Sequence, residues 1–472
     1  MPHFDLVIVG AGSGNSIVGK EYRDLSVAIV EAGPFGGTCL NVGCIPTKMY
    51  VYPADVAEAA RSAGPLGIRA TVDSVDWPAM RDRIFGRIDG HSADARAFRE
   101  GPRWPNLTVL HGTARFTGVK AMTVHLHDGT SVDLTADRFV LAAGGRPVIP
   151  DIPGVDEDAI GHGVVHTSDT VMRIDALPQR LVIVGGGYIA AEFAHIFTSF
   201  GTLVTQLVRG SRLLRHHDID VADTFTQYVQ QRYDVRRDTV VNGIKPATDG
   251  GTGVTVFTEG PYGESTVDAD VVLLATGRRP NADLLNVQAT GVTVNAAHQV
   301  VVDDHQETVV PGIYALGDIS SPYALKHVAN HEARVVRHNL MHPDQRVRTD
   351  HRFVPAAVFT EPQIASVGLT EEQARQRSVP YVVGRRDFGG TAAGWAREDT
   401  VGFVKVLADP ATGLLLGAHI IGPEAASVIQ PLIQAMSFGQ RAHDVARGQY
   451  WIHPGLPEVV ENALLALPRP TG

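Results

Sequence analysis

Two stretches of the chain share one hydrophobic pattern. "FDLVIVGAGSGNS" (4–16) and "RLVIVGGGYIAAEFAHIFTSFG" (180–201) each pass from an unbroken apolar strand through a glycine-rich turn into a helical period. About 20 residues after each turn a second apolar run follows, "SVAIVE" ending at Glu31 and "LVTQLVR" ending at Arg209. Continuously apolar strands belong in a parallel sheet covered on both faces. Each stretch therefore predicts a βαβ unit of dinucleotide-binding type. A second echo links "ADRFVLAAGGRPVIP" with "ADVVLLATGRRPN": strand, Ala-x-Gly closing on Gly144 or Gly277, then Arg and Pro. "GIYALGDISS" (312–321) is a further buried strand, and the Arg- and Ala-rich segment 60–110 reads as long helices.

After residue 346 the pattern changes. "VPAAVFTEPQIASVGLTEEQA" and "GFVKVLADPATGLLLGAHIIG" read as strands and a hairpin, while "AASVIQPLIQAMSFG" and "LPEVVENALLAL" read as helices. The fold class predicted is α/β, with two Rossmann-like dinucleotide-binding domains and a C-terminal α+β domain. The boundaries fall at 1–150, 151–278, a segment 279–346 that completes the first domain, and 347–472.

Length and composition narrow the function. A chain of 472 residues exceeds one ordinary core. A net charge of −10 offers neither nucleic acid nor an anionic membrane a broad cationic face. No apolar run reaches the ~18 residues of a membrane span. The N-terminus enters its first strand without a basic region or cleavage site, so a cytoplasmic protein is expected. The 20 histidines are scattered without metal-ligand spacing, so no metal is expected.

The two glycine turns carry different chemistry. Gly10 and Gly12 allow a tight turn and close approach of a pyrophosphate to a helix start, with Gly14 one place ahead of Asn15, which occupies the usual third-glycine position. Glu31 is placed to accept hydrogen bonds from a ribose 2′-hydroxyl, which suits FAD; the alternative is a strand-capping glutamate. In the second turn Gly185, Gly187 and Ala190 fill the small-residue positions. There the second strand ends in Arg209, inside "LVRGSRLLRHHD". Arg209 and Arg215, with Arg212 nearby, would pair with a 2′-phosphate and select NADPH. The alternative is a solvated basic loop.

The only cysteines, Cys39 and Cys44, lie in "GGTCLNVGCIPTK". Five extended residues span roughly 16 Å, whereas disulfide Cα atoms sit about 4.4–6.8 Å apart, so bonding requires the chain to fold back. Gly36, Gly37 and Gly43 make that feasible, and Pro46 suits the first turn of a following helix. Cys44 at that helix start would be favoured as thiolate, as a flavin–dithiol relay requires. Two buried structural thiols are the alternative.

Together "GGTCLNVGCIPTK", the two glycine turns, "GIYALGDIS" and "HPGLPEVVEN" resemble the FAD-dependent pyridine nucleotide–disulfide oxidoreductases along nearly the whole chain. The resemblance implies FAD and NADPH as cofactors. By matching position it implies Cys39 as the thiol that attacks substrate and Cys44 as the thiol facing the flavin. Lys48 and Glu192 resemble the ion pair beside the flavin, Tyr188 the shield of the nicotinamide pocket, and Asp318 the carboxylate on the ribityl chain. Thr38, Gly144 and Gly277 match cofactor-lining positions. His453 and Glu458 resemble the acid–base pair that completes the neighbouring subunit's site, which implies an obligate homodimer. Within the family, "GAGSGNSIV", "CIPTKMYVYPADVA", "SSPYALKHVANHEARVV" and "ARGQYWIHPGLPEVVENAL" are similar to members that reduce the disulfide of a cysteinyl glucosamine–inositol thiol. Glutathione disulfide reduction, or dihydrolipoamide oxidation within a 2-oxo acid dehydrogenase complex, are the alternatives.

Overall fold

The first apolar strand, His3–Val9, becomes the centre of a parallel sheet because both its faces are apolar. In the computed structural model, which describes residues 1–247 and 253–470, it pairs with Val27–Glu31 on one side and Ser131–Leu141 on the other. Leu107–Gly118 extends the sheet beyond Val27–Glu31, and Ala121–Leu126 links it to Ser131–Leu141 as an antiparallel meander. Ile313–Ala315 closes the far edge, so the chain returns to its first sheet some 170 residues after leaving it.

The second sheet repeats the plan with parallel strands Asp234–Arg236, Leu203–Leu207, Arg180–Val184, Val271–Leu274 and Val165–Thr167 in that order. The echo between the two halves has a steric cause. Gly10 has φ +105°, and a Cβ there would lie 2.3 Å from the Ala142 carbonyl oxygen. Gly185 has φ +142°, and its Cβ would lie 2.2 Å from the Ala275 oxygen. Each turn thus needs glycine because the end of the adjacent parallel strand presses on it. The Arg-Pro segments that follow, Gly145–Pro147 and Arg278–Pro280, pair with each other in a small antiparallel sheet.

The two glycine turns then diverge. After Gly187 the predicted helix forms, Tyr188–Ser199. After Gly12 it does not: the chain makes two 3-10 turns, Gly14–Ser16 and Lys20–Tyr22. The cause is the displaced third glycine. A Cβ on Gly14 would come within 2.7 Å of the Ala142 Cβ and 3.0 Å of Ile8, so Gly14 supplies the close approach and the turn tightens around it. Carbonyls that a helix would satisfy internally are taken up by Arg99. Its guanidinium donates to Asn15 Oδ1 at 2.7 Å, the Asn15 carbonyl at 2.5 Å and the Val18 carbonyl at 3.2 Å.

The helices in chain order begin with α1 (Gly37–Asn41), α2 (Cys44–Arg61), α3 (Trp77–Glu100), α4 (Tyr188–Ser199), α5 (Ile219–Val229) and α6 (Lys326–Met341). The expectation of long helices over 60–110 is corrected to a single one, α3, because strand Leu107–Gly118 already starts within that span. The C-terminal region is an antiparallel sheet of five strands in the order Ala356–Val358, Gln363–Gly368, Leu415–Gly422, Phe403–Ala408, Val382–Asp387. The helix expected over "AASVIQPLIQAMSFG" is split into Ala425–Val428 and Gln430–Ser437, with Pro431, which has no amide hydrogen, in the first turn of the second piece.

Replacing Asn15 by Gly would restore the usual third glycine in name only. The variant loses an acceptor of the buried Arg99 while Gly14 keeps the packing role. We expect Asn15→Gly to lower the thermal midpoint by several degrees and weaken FAD retention; a midpoint unchanged or raised by scanning calorimetry contradicts this account.

Candidate active site

The cysteine segment folds back as its glycines allow. Cys39 lies in α1 and Cys44 is the first residue of α2. Between them the Val42 amide donates to the Thr38 carbonyl at 3.0 Å. A Cβ on Gly43 would sit 2.9 Å from that same oxygen, so the reversal is made with no side chain in its way. Thr47 Oγ1 donates to the Gly43 carbonyl at 2.7 Å and pins the start of α2. Asn41, buried, donates from Nδ2 to the carbonyls of Pro34, Phe35 and Gly37 at 3.2, 3.0 and 3.0 Å. Nothing in the sequence period marks Asn41; its signal is only that a polar residue sits between two cysteines in a glycine-rich turn.

The thiols share a proton unequally. The neighbouring Cys39 thiol and, to a smaller extent, the Lys48 ammonium together lower the Cys44 pKa to about 7 against the opposing effect of burial. The same pairing, together with burial, pushes Cys39 up. Cys44 is thus the resting thiolate and Cys39 the resting thiol.

One turn into α2, Lys48 Nζ lies 2.7 Å from both carboxylate oxygens of Glu192 on α4. The Phe359 amide donates to the same carboxylate at 3.0 Å, and the ammonium stands 4.6 Å from the Phe359 ring centroid. Phe359 therefore joins the pair from the C-terminal region, a role the sequence did not indicate. Further along, His195 Nε2 and Asp55 lie 2.8 Å apart, and Arg61 donates to the Ser199 carbonyl, so α2 and α4 are joined along their lengths.

These residues open onto a cavity of about 1460 Å³. Of the cofactor residues named from sequence, Gly10, Gly12, Glu31, Thr38, Gly144, Tyr188 and Asp318 line it together with Cys39, Cys44, Lys48 and Glu192. Glu31 accepts the Ala11 amide at 2.6 Å and the Gly33 amide at 2.8 Å, and burial raises its pKa. Burial likewise raises Asp318 and Tyr188. Two half-buried carboxyls lining one cavity, with glycine backbone between them, fit a ligand that has ribose and ribityl hydroxyls with a pyrophosphate between. Lys326, at the start of α6, also lines the cavity and donates to Ser13 Oγ at 2.8 Å.

Other predicted residues lie elsewhere. Gly14 packs beneath the first turn, outside the lining. Gly185, Gly187, Gly277, Arg209 and Arg215 are also outside it. Arg209 and Arg215 are exposed on the loop after Leu203–Leu207, whereas Arg212 is drawn to Asp223 at 3.4 Å. His453 Nδ1 and Glu458 Oε1 are 2.8 Å apart, but the His453 side chain is 71% exposed and does not reach this cavity of its own chain.

With a parallel dinucleotide-binding pair and a dithiol at their junction, the architecture is that of a flavoprotein disulfide reductase. Residues 4–333 match the model for the pyridine nucleotide-disulphide oxidoreductases and residues 354–464 the model for their dimerisation domain; the chain belongs to this family. It is 50% identical to a mycothione reductase of Mycobacterium tuberculosis over 99% of this chain and 100% of that protein. It is also 33% identical to a dihydrolipoyl dehydrogenase of Haloferax volcanii over 98% of this chain and 96% of the relative. Among solved structures, the HOCl-induced flavoprotein disulfide reductase RclA from Escherichia coli superposes with a TM-score of 0.83 at 27% identity, covering 98% of this chain and 99% of RclA. The cofactors are FAD and NADPH, and the protein is a homodimeric enzyme that reduces disulfides. Among the described residues no helix is long and apolar enough to cross a membrane.

The unequal proton sharing is measurable. In the reduced protein, thiolate ultraviolet absorbance should rise as pH passes through about 7, since a depressed acid is ionised above its pKa. Cys39→Ala removes the donor and should move the midpoint upward; an unmoved midpoint would mean that Cys39 does not stabilise the Cys44 thiolate.

Proposed function

We propose that this protein reduces mycothione, the disulfide of mycothiol, with electrons from NADPH, in the reducing environment of the cytoplasm. The observation that carries this reading is the Cys39–Cys44 pair lining one cavity at the head of α2, in a chain half identical to a mycothione reductase along its whole length.

Bound in the cavity, FAD supplies the two-electron link between the nicotinamide and the sulfur pair. Glu31, Asp318 and the backbone around Gly10 and Gly12 hold it. Tyr188 covers the nicotinamide side and yields to NADPH, whose 2′-phosphate Arg209 and Arg215 receive. The chain's own chemistry is thiol–disulfide exchange. Cys39 holds its proton in the resting dithiol, so a base must take it before attack. That base is the partner subunit's His453, whose tautomer Glu458 fixes through Nδ1. The Cys39 thiolate attacks one sulfur of the substrate, forming a mixed disulfide and releasing one thiolate, which takes the proton back from the imidazolium. Cys44 thiolate then attacks Cys39 sulfur, closing the Cys39–Cys44 disulfide and expelling the second substrate half as a thiolate, which takes its proton from solvent. Two electrons from NADPH reopen it. The separation of roles is chemically sound: the stabilised thiolate is the weaker nucleophile.

The assignment of His453 in trans rests on its exposure, its absence from the lining of its own chain's cavity, and the exposure of the neighbouring Tyr450 and Ile452 and of Phe438 in the same C-terminal region (102%, 81% and 77%). Apolar side chains so displayed are what a second copy covers.

Two measurements test this reading. Steady-state turnover of the purified enzyme should favour mycothione over glutathione disulfide and lipoamide by at least about 100-fold in kcat/KM, a ratio equivalent to about 3 kcal/mol; equal turnover on glutathione disulfide would reassign the substrate. In a hybrid dimer of one Cys39→Ser and one His453→Ala subunit, one site keeps both groups if His453 acts across the interface. Roughly half of wild-type activity is then expected, and none if the pair acts within one chain.

A further inference from the structure

Away from the redox centre, the most demanding polar cluster surrounds Lys405. Its side chain is 2% exposed, yet its ammonium pairs with Asp218 at 2.9 Å, Asp220 at 2.7 Å and Glu371 at 2.7 Å. Asp218 is itself fully buried and also accepts the amides of Asp220 and Glu371, at 3.2 and 3.1 Å. A buried cation and its carboxylates are costly to desolvate, so such a cluster is a weak device for stability alone.

Its members belong to different parts of the fold. Lys405 is on Phe403–Ala408, inside the C-terminal sheet. Asp218 caps α5 and ends the loop 208–218 of the second dinucleotide unit. That loop is seated on the C-terminal sheet: Val208, Leu213 and Leu214 are buried in one apolar cluster with Val358, Phe403 and Ile421. The arginines point the other way, with Arg209 and Arg215 exposed. The Leu214 amide donates to the Gly186 carbonyl at 2.8 Å, which sets the loop against the second glycine turn.

We propose that Lys405 is a positioning residue for NADPH. By fixing Asp218 to the C-terminal sheet it holds the far end of the 208–218 loop, so that Arg209 and Arg215 are presented together to the 2′-phosphate. The inference rests on the reading of this loop as the phosphate site. Lys405 touches no cofactor; its effect is to order the loop beforehand, so that less freedom is lost when the phosphate binds. NADH, without that phosphate, gains nothing from the ordering.

The test uses the full-length holoenzyme dimer with adenosine 2′,5′-bisphosphate and 5′-AMP as probes in titration calorimetry, alongside NADPH and NADH kinetics. Lys405→Met should weaken the bisphosphate about tenfold, a usual size for lost ordering, and leave 5′-AMP unchanged. KM for NADPH should rise to match, with kcat and the NADH constants unaltered. Should Lys405→Met fail to fold, Asp218→Asn keeps the helix cap and removes the ionic tie, and the same direction of change is expected. Unaltered bisphosphate affinity in a folded variant, or equal weakening of both probes, overturns the proposal. Arg209→Glu separates the two levels: if it too leaves the bisphosphate preference intact, the loop is not the phosphate site. If it abolishes the preference while the Lys405 and Asp218 variants do not, only the positioning role fails.

Discussion

The structure turns on one constraint, that Cys39 and Cys44 be brought close enough for one proton to be divided unequally between them. It requires the chain to reverse within a few residues, and much of the neighbouring structure serves that reversal. Gly43 lets the backbone pass against the Thr38 carbonyl, Thr47 fastens the first turn of α2, and Asn41 gathers the carbonyls of the preceding loop. With the proton left on Cys39, negative charge settles on Cys44, at the helix start and near Lys48. The dithiol is thereby divided into a stabilised sulfur, Cys44, and a protonated one, Cys39.

The same helix carries the site across to the second dinucleotide unit. Lys48 to Glu192 and Asp55 to His195 join α2 to α4 in register, and Tyr188 begins α4. Tyr188, for which we propose the nicotinamide-covering role, and Cys44 are thus set on two helices locked to one another. The C-terminal region reaches the redox centre through Phe359 beside Glu192, and it grips the second dinucleotide unit through Lys405 beside Asp218. A region matched to a dimerisation domain therefore also braces the site within its own chain.

Most of this plan was legible in the sequence because it depends on local stereochemistry. Gly10 and Gly185 announce turns where no Cβ fits, and the two Ala-x-Gly echoes are the strands that press on them. The spacing of Cys39 and Cys44 announced the reversal. What escaped was set by contacts far apart in sequence. The tightened turn after Gly12 leaves carbonyls that are met by Arg99, 84 residues from Asn15. The Lys405 cluster joins positions 187 residues apart, and no periodicity carries such information. His453 is singled out by resemblance alone, since a lone histidine with a glutamate five residues on would otherwise read as a surface pair.

The central claim is that two sulfurs, poised by a shared proton, accept an electron pair of their own. Anaerobic titration of the oxidised enzyme with dithionite tests it most directly. Uptake of a second electron pair per subunit beyond the flavin's own, lost in Cys44→Ser, is the result the account predicts. Saturation after the flavin's single pair would contradict it.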